Sequence, residues 1–145
     1  MPYTYDYPRP AVTVDIIVIN RIKESYHLLL IERKHPPFQN KWALPGGFVD
    51  TDESLIDAAY RELQEETNIT NIKLTQFYAF GDKGRDPRGH TVSVVYFGFI
   101  ENLQTNEIAG DDAASLKWFN IDDLPQLAFD HDKIISQFKA QYINI

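Results

Sequence analysis

Apolar and polar positions change rhythm several times along the chain, and each change predicts an element. Residues 11–20 (AVTVDIIVIN) and 26–32 (YHLLLIE) are apolar runs of strand length, joined by a polar turn over 21–25. A proline-containing loop covers 34–40 (KHPPFQN), and Pro45-Gly46-Gly47 predicts a tight turn that feeds the next segment. From Ser54 to Thr67 the period lengthens to that of a helix, with Leu55, Ala58, Ala59 and Leu63 in one apolar stripe. Ser54 with Asp57 three residues on reads as a capping-box start, and Asn68 stands where a left-handed residue ends a helix. Residues 73–80 and 91–100 predict two more strands, apolar on both faces and therefore expected in the middle of a sheet. The segment 81–90 (GDKGRDPRGH) between them is a charged loop rich in Gly and Pro. Residues 101–114 read as polar loop, 116–120 as a short strand and 129–142 as a closing helix. Strands alternating with two helices predict an α/β domain whose mixed sheet lies between helices.

The predicted first helix carries the chemistry. Glu62, Glu65 and Glu66 stand at i, i+3 and i+4, so their carboxylates leave one face within a turn of each other. Like charges so placed repel, and one reading is simply a solvated acidic face. The other is a cation site. Two glycines before the helix let backbone approach an ion or a phosphate closely. Oxygen ligands alone suit a hard ion, Mg²⁺ or Mn²⁺, rather than Zn²⁺.

Composition narrows the field. A formal net charge of −7 argues against nucleic acid or an anionic membrane as partner, because both select basic patches. With no cysteine in 145 residues, neither a disulfide nor a thiol nucleophile is available. No apolar run has the length of a membrane span and the N-terminus lacks a signal-peptide pattern, so a cytoplasmic address is expected. A single domain over 1–145 is expected from the length, with a homodimer left open.

The stretch from Gly47 to Ile69 resembles the signature of the Nudix hydrolases, whose fixed positions fall on Gly47, Glu53, Arg61, Glu62, Leu63, Glu65, Glu66 and Ile69. Asn68 replaces the last glycine of that signature, and since Asn tolerates the left-handed conformation the change reads as one of cap only. Chance would produce such a match in about one chain in 10⁵ of this length. Three further segments, residues 8–15, 85–94 and 128–131, together with residues 42–49, are similar to the ADP-ribose pyrophosphatase branch and to Nudix domains tied to NAD metabolism. Repressors that share those segments carry an added winged-helix domain, and none is expected in these 145 residues.

The resemblance implies a Nudix-type α/β/α sandwich and Mg²⁺-dependent (or Mn²⁺-dependent) hydrolysis of a small-molecule nucleotide, ADP-ribose above others. Glu62, Glu65 and Glu66 would be the metal ligands, with the carbonyl of Gly46 or Gly47 as a further oxygen. Of the two glycines, Gly47 is the metal candidate and Gly46 lies toward substrate. Arg61 would orient a glutamate, Glu53 would support the array, and Glu65 is also a catalytic candidate. A downstream acidic residue, Asp111 or Asp112, would take the proton from water, unless it merely caps a turn. Arg85 and Arg88 read as contacts to diphosphate or ribose-phosphate oxygens, against the alternative of a solvated loop in which Asp82 and Asp86 are their partners. Tyr3, Tyr5, Tyr7 and Phe38 are candidates to stack on adenine, whereas Trp42 and Trp118 read as core and His90 and His131 as structural. Two other activities stay open: a nucleoside triphosphate as substrate, or a non-catalytic ADP-ribose sensor.

Overall fold

The computed structural model describes residues 2–101 and 113–144. Seven strands among them form one mixed sheet: β1 (Ala11–Ile22), β2 (Ser25–Arg33), β3 (Trp42–Ala43), β4 (Gly46–Phe48), β5 (Thr75–Phe80), β6 (Thr91–Glu101) and β7 (Ala113–Asn120). The path through the sheet is β3-β2-β1-β6-β5, with β4 also on β1 and β7 also on β2. β1 and β6 run parallel from Ala11↔Thr91 to Arg21↔Glu101, and every other pairing is antiparallel. Helices α1 (Leu55–Thr67) and α2 (His131–Phe138) complete the regular structure, and a π-helical segment (Lys139–Ile143) extends α2.

The apolar run of β1 explains the layering. Val14, Ile16 and Val18 turn to one side, where they meet Ala58, Ala59 and Leu63 of α1. Ile17 and Ile19 turn to the other, where Ile134, Ile135 and Phe138 of α2 cover them. A strand without a polar alternation needs cover on both faces, and burying each such side chain contributes about 1.5–3 kcal/mol. The result is the α/β/α sandwich. Ser54 Oγ accepts the Asp57 N–H at 3.2 Å and caps α1. Asn68 closes it in the left-handed region (φ 62°), its N–H donating to the carbonyl of Gln64. Asparagine thus performs the turn that the signature assigns to glycine.

Several expectations need correction. Residues 73–80 do not lie centrally: β5 is the edge of the sheet, and Tyr78 is 53 % exposed. Its aromatic residues suggest cover on both faces, but only Phe77 and Phe80 join the core. Pro45-Gly46-Gly47 is not a tight turn. Gly46 and Gly47 belong to β4 and pair with Asp15 and Val14. The helix predicted over 129–142 is α-helical only from His131 to Phe138: Phe129, with a positive φ of 54°, lies outside it, and the chain continues as the π-helical segment. The β1–β2 hairpin is tighter than the five-residue turn predicted, with Ile22 opposite Ser25.

Candidate active site

The acidic face of α1 and a set of basic side chains line one pocket of about 490 Å³. Glu62, Glu65 and Glu66 give it an acidic wall, and Arg33, Lys34, Arg85 and Arg88 also line it. Asp15 on β1 and Gly46 and Gly47 on β4 are among the lining residues, and Phe48, Phe129 and His131 help complete it.

Arg61 organises the acidic wall. Its Nε and one terminal nitrogen grip both oxygens of Glu53, at 2.6 and 2.9 Å. The other terminal nitrogen reaches Glu62 at 2.9 Å and Glu65 at 3.3 Å, and the Phe48 carbonyl accepts a further bond at 3.1 Å. Hydrogen bonding to Arg61, and then to the Asp50 N–H, holds the Glu53 carboxyl down to about 2, while the Glu53 bond raises the Arg61 guanidinium above its ordinary value. Glu53 is therefore a brace: it fixes the arginine that fixes Glu62 and Glu65.

Glu62 and Glu66 are buried rather than solvated, which distinguishes this helix face from an ordinary charged surface. Gly47 abuts that wall so closely that a Cβ there would come within 2.5 Å of a Glu62 oxygen. Among the described residues no three Asp, Glu or His side chains form a ready-made metal cage; the Arg61 guanidinium stands among Glu53, Glu62 and Glu65. The donor set itself, carboxylate oxygens in a half-dry cradle already drawn toward a cation, fits a hard divalent ion.

The two loop arginines have different surroundings. Arg85 is buried and bidentate to Asp130, at 2.9 and 2.7 Å, so its partner is neither Asp82 nor Asp86. Arg88 pairs with Asp86 at 2.8 Å and stays accessible, its guanidinium lying over the rings of Phe48 and Phe129. Arg33, which sequence reasoning missed, also lies over Phe129 at 4.9 Å and donates to the Pro37 carbonyl. Burial, and then the nearby charge of Arg88, lower its pKa. Phe38 packs against Phe129 at 4.8 Å at this rim. Trp118 is buried, and Trp42 packs against the second core cluster. Asp111 and Asp112 lie outside the described residues.

His131 is buried on the pocket side, its Nδ1 accepting the Leu44 N–H at 3.0 Å. Burial lowers its pKa below the ordinary 6.5; Asp15 and Asp130 oppose this, while Arg85 and Arg33 add to it. The unfolded chain thus takes up that proton first, and the stability present above about pH 6.5 is lost as pH falls toward the folded value. His131→Gln retains an acceptor for Leu44 and should flatten the fall in Tm between about pH 7 and pH 5. Thermal melts of both proteins across that range check it; parallel curves would reject the assignment.

The NUDIX domain profile matches residues 9–138. An ADP-ribose pyrophosphatase of Methanocaldococcus jannaschii is 42% identical over 133 residues, which cover 91% of this chain and 75% of that protein. The ADPR responsive transcriptional repressor NtrR of Acinetobacter baylyi is 36% identical over 96% of the chain, which spans only 57% of the repressor. The NUDIX domain of Shewanella oneidensis NrtR, solved with ADP ribose, superposes with a TM-score of 0.84 at 32% identity, covering 94% of this chain and 93% of that one. Signature, sandwich and these likenesses agree, and the chain belongs to the Nudix hydrolase family.

Proposed function

We propose that the protein hydrolyses the diphosphate bond of a nucleoside diphosphate derivative, ADP-ribose to AMP and ribose 5-phosphate, using Mg²⁺ or Mn²⁺. The observation that carries this reading is one pocket lined by both clustered carboxylates and guanidinium groups. Diphosphate oxygens need positive charge, and a leaving phosphate needs that charge to increase as the bond breaks. Glu62, Glu65, Glu66 and the Gly47 carbonyl would hold the divalent ion, which when bound supplies Lewis-acid neutralisation of the phosphoryl charge. Arg61, braced by Glu53, keeps Glu62 and Glu65 aligned for that duty. Arg88, accessible over Phe48 and Phe129, is the loop arginine best placed to meet substrate. Arg85, tied to Asp130, acts by shaping the pocket. Asp111 or Asp112 is assigned to receive the proton of the attacking water.

The preference for ADP-ribose draws support from the similarity to the Methanocaldococcus pyrophosphatase and to the ADP-ribose-bound NUDIX domain. A ligand-sensing role draws on the likeness to the Acinetobacter repressor. The intact glutamates of α1 favour catalysis over sensing. The test is a panel of nucleotides incubated with the purified protein and either ion, with products separated by chromatography. ADP-ribose should lead in kcat/KM by about tenfold or more, and EDTA should abolish turnover. A triphosphate at the head of the panel would replace the substrate assignment. Tight binding of ADP-ribose without turnover would favour the sensor.

A further inference from the structure

Asp15 and His131 line the pocket from two separate elements, Ser93 on a third bonds to Asp15, and the acidic wall uses none of them. Asp15 is a buried carboxyl on β1, the strand with cover on both faces. One of its oxygens, Oδ2, accepts the hydroxyl of Ser93 on β6. The other, Oδ1, lies 3.8 Å from His131 Nε2. That separation exceeds a hydrogen bond, so the two groups face each other without being joined. Because Nδ1 of His131 accepts the Leu44 N–H, the ring proton of the neutral imidazole sits on Nε2. A donor and an acceptor thus stand side by side at the pocket. Gly46 preserves the space near Oδ1, since a Cβ there would come within 2.5 Å of it.

The group that fits this pair must accept from Nε2–H and donate to Oδ1 through one atom. A phosphate oxygen only accepts, an ammonium only donates, and a hydroxyl does both. A hydroxyl oxygen about 2.8 Å from each heavy atom spans the gap at an angle of about 85°, so the two side chains need to part slightly to take it. Carboxylates that read ribose hydroxyls in dinucleotide sites use the same chemistry. We infer that Asp15 and His131, with Ser93 holding Asp15 in place, recognise either the adenosine 2′-hydroxyl or a hydroxyl of the second ribose of the substrate and set its specificity. The inference rests on the reading of the pocket as a site for a nucleoside diphosphate derivative. It adds a hydroxyl-reading floor to the charged walls.

The test is a cycle of enzyme variants against substrate analogues. Wild type and Asp15→Asn are compared by kcat/KM on ADP-ribose, on its analogue deoxygenated at the adenosine 2′ position, and on the β-methyl ester of ADP, which lacks the second sugar. Asp15→Asn should lower kcat/KM for ADP-ribose by about tenfold or more and leave one of the two analogues within about threefold. The insensitive analogue identifies which ribose is read. Equal losses on all three substrates, or none, would overturn the inference. Ser93→Ala should show the same selectivity more weakly, and it carries the test if Asp15→Asn does not fold. Failure of the substrate reading looks different: wild type would then ignore ADP-ribose and turn over a triphosphate. The same cycle on ATP and 2′-deoxy-ATP would decide the hydroxyl contact there, a selective loss supporting it and a uniform one rejecting it.

Discussion

Glu66→Gln is expected to lower kcat by about 10²-fold or more while Tm moves by only a few degrees. Glu66 is buried on α1, where its carboxylate faces the pocket that also holds Arg33. The amide keeps the shape and removes the charge. A 10²-fold loss corresponds to about 2.7 kcal/mol of transition-state stabilisation, within the range for loss of one electrostatic contact at a reacting phosphoryl group. Folding has less at stake, because Glu62 and Glu66 are like charges one helical turn apart and the substitution relieves their repulsion. Steady-state kinetics and a thermal melt on one preparation check both halves. An unchanged rate would remove Glu66 from the ligand set, and a collapse of Tm alongside kcat would mark its role as structural.

Gly46 and Gly47 are adjacent, yet alanine at each should fail in a different way. At Gly46 a Cβ would stand 2.2 Å from the Val14 carbonyl oxygen and 2.9 Å from the Asp15 Cα, both backbone atoms. Relief requires β4 to part from β1, so Gly46→Ala should cost about 3 kcal/mol or prevent accumulation of folded protein. At Gly47 the three nearest atoms all belong to the Glu62 carboxyl group, the far end of a side chain that Arg61 holds at 2.9 Å. Glu62 must turn against that bond while β4 stays in place, so Gly47→Ala should fold with a smaller loss of Tm than Gly46→Ala. Its activity should fall by about tenfold or more, with a higher requirement for Mg²⁺. Denaturant melts and a Mg²⁺ titration separate the two. Equal Tm values would show that β4 adjusts, and full activity in Gly47→Ala would show that the position of Glu62 is unimportant.

What was legible in the sequence was what is local in the fold. Cap, stripe and glutamate spacing of α1 all lie within one helix, and Ser54, Asn68 and the buried face of Ala58, Ala59 and Leu63 follow from that spacing. Arg61 and Glu53 stand only eight residues apart and were both visible as motif positions, although which glutamate Arg61 grips was not. The rest depended on distance. Arg85 meets Asp130 across 45 residues, and the apparent local partners Asp82 and Asp86 concealed that pairing. Asp15, Ser93 and His131 fall in the segments 8–15, 85–94 and 128–131, but nothing local in those segments shows that they meet. Arg33 sat at the end of β2 next to a proline loop, with no local sign that it would lie over Phe129. β5 was placed too deep, since aromatic content alone does not say whether a second strand flanks it. Short strands such as β4, three residues long, have too few positions to set a period.

The parallel pairing of β1 with β6 also orders events in time. Asp15 and Ser93 lie 78 residues apart in the chain, so the pocket floor requires closing a long loop before any contact there stabilises it. The capped helix α1 and the tight β1–β2 hairpin have no such requirement and can form as soon as their own residues are available. During synthesis a nascent chain that has not yet released β6 therefore carries the acidic helix face without the floor beneath it. The Asp15–Ser93 contact beside the pocket forms only when β6 docks beside β1.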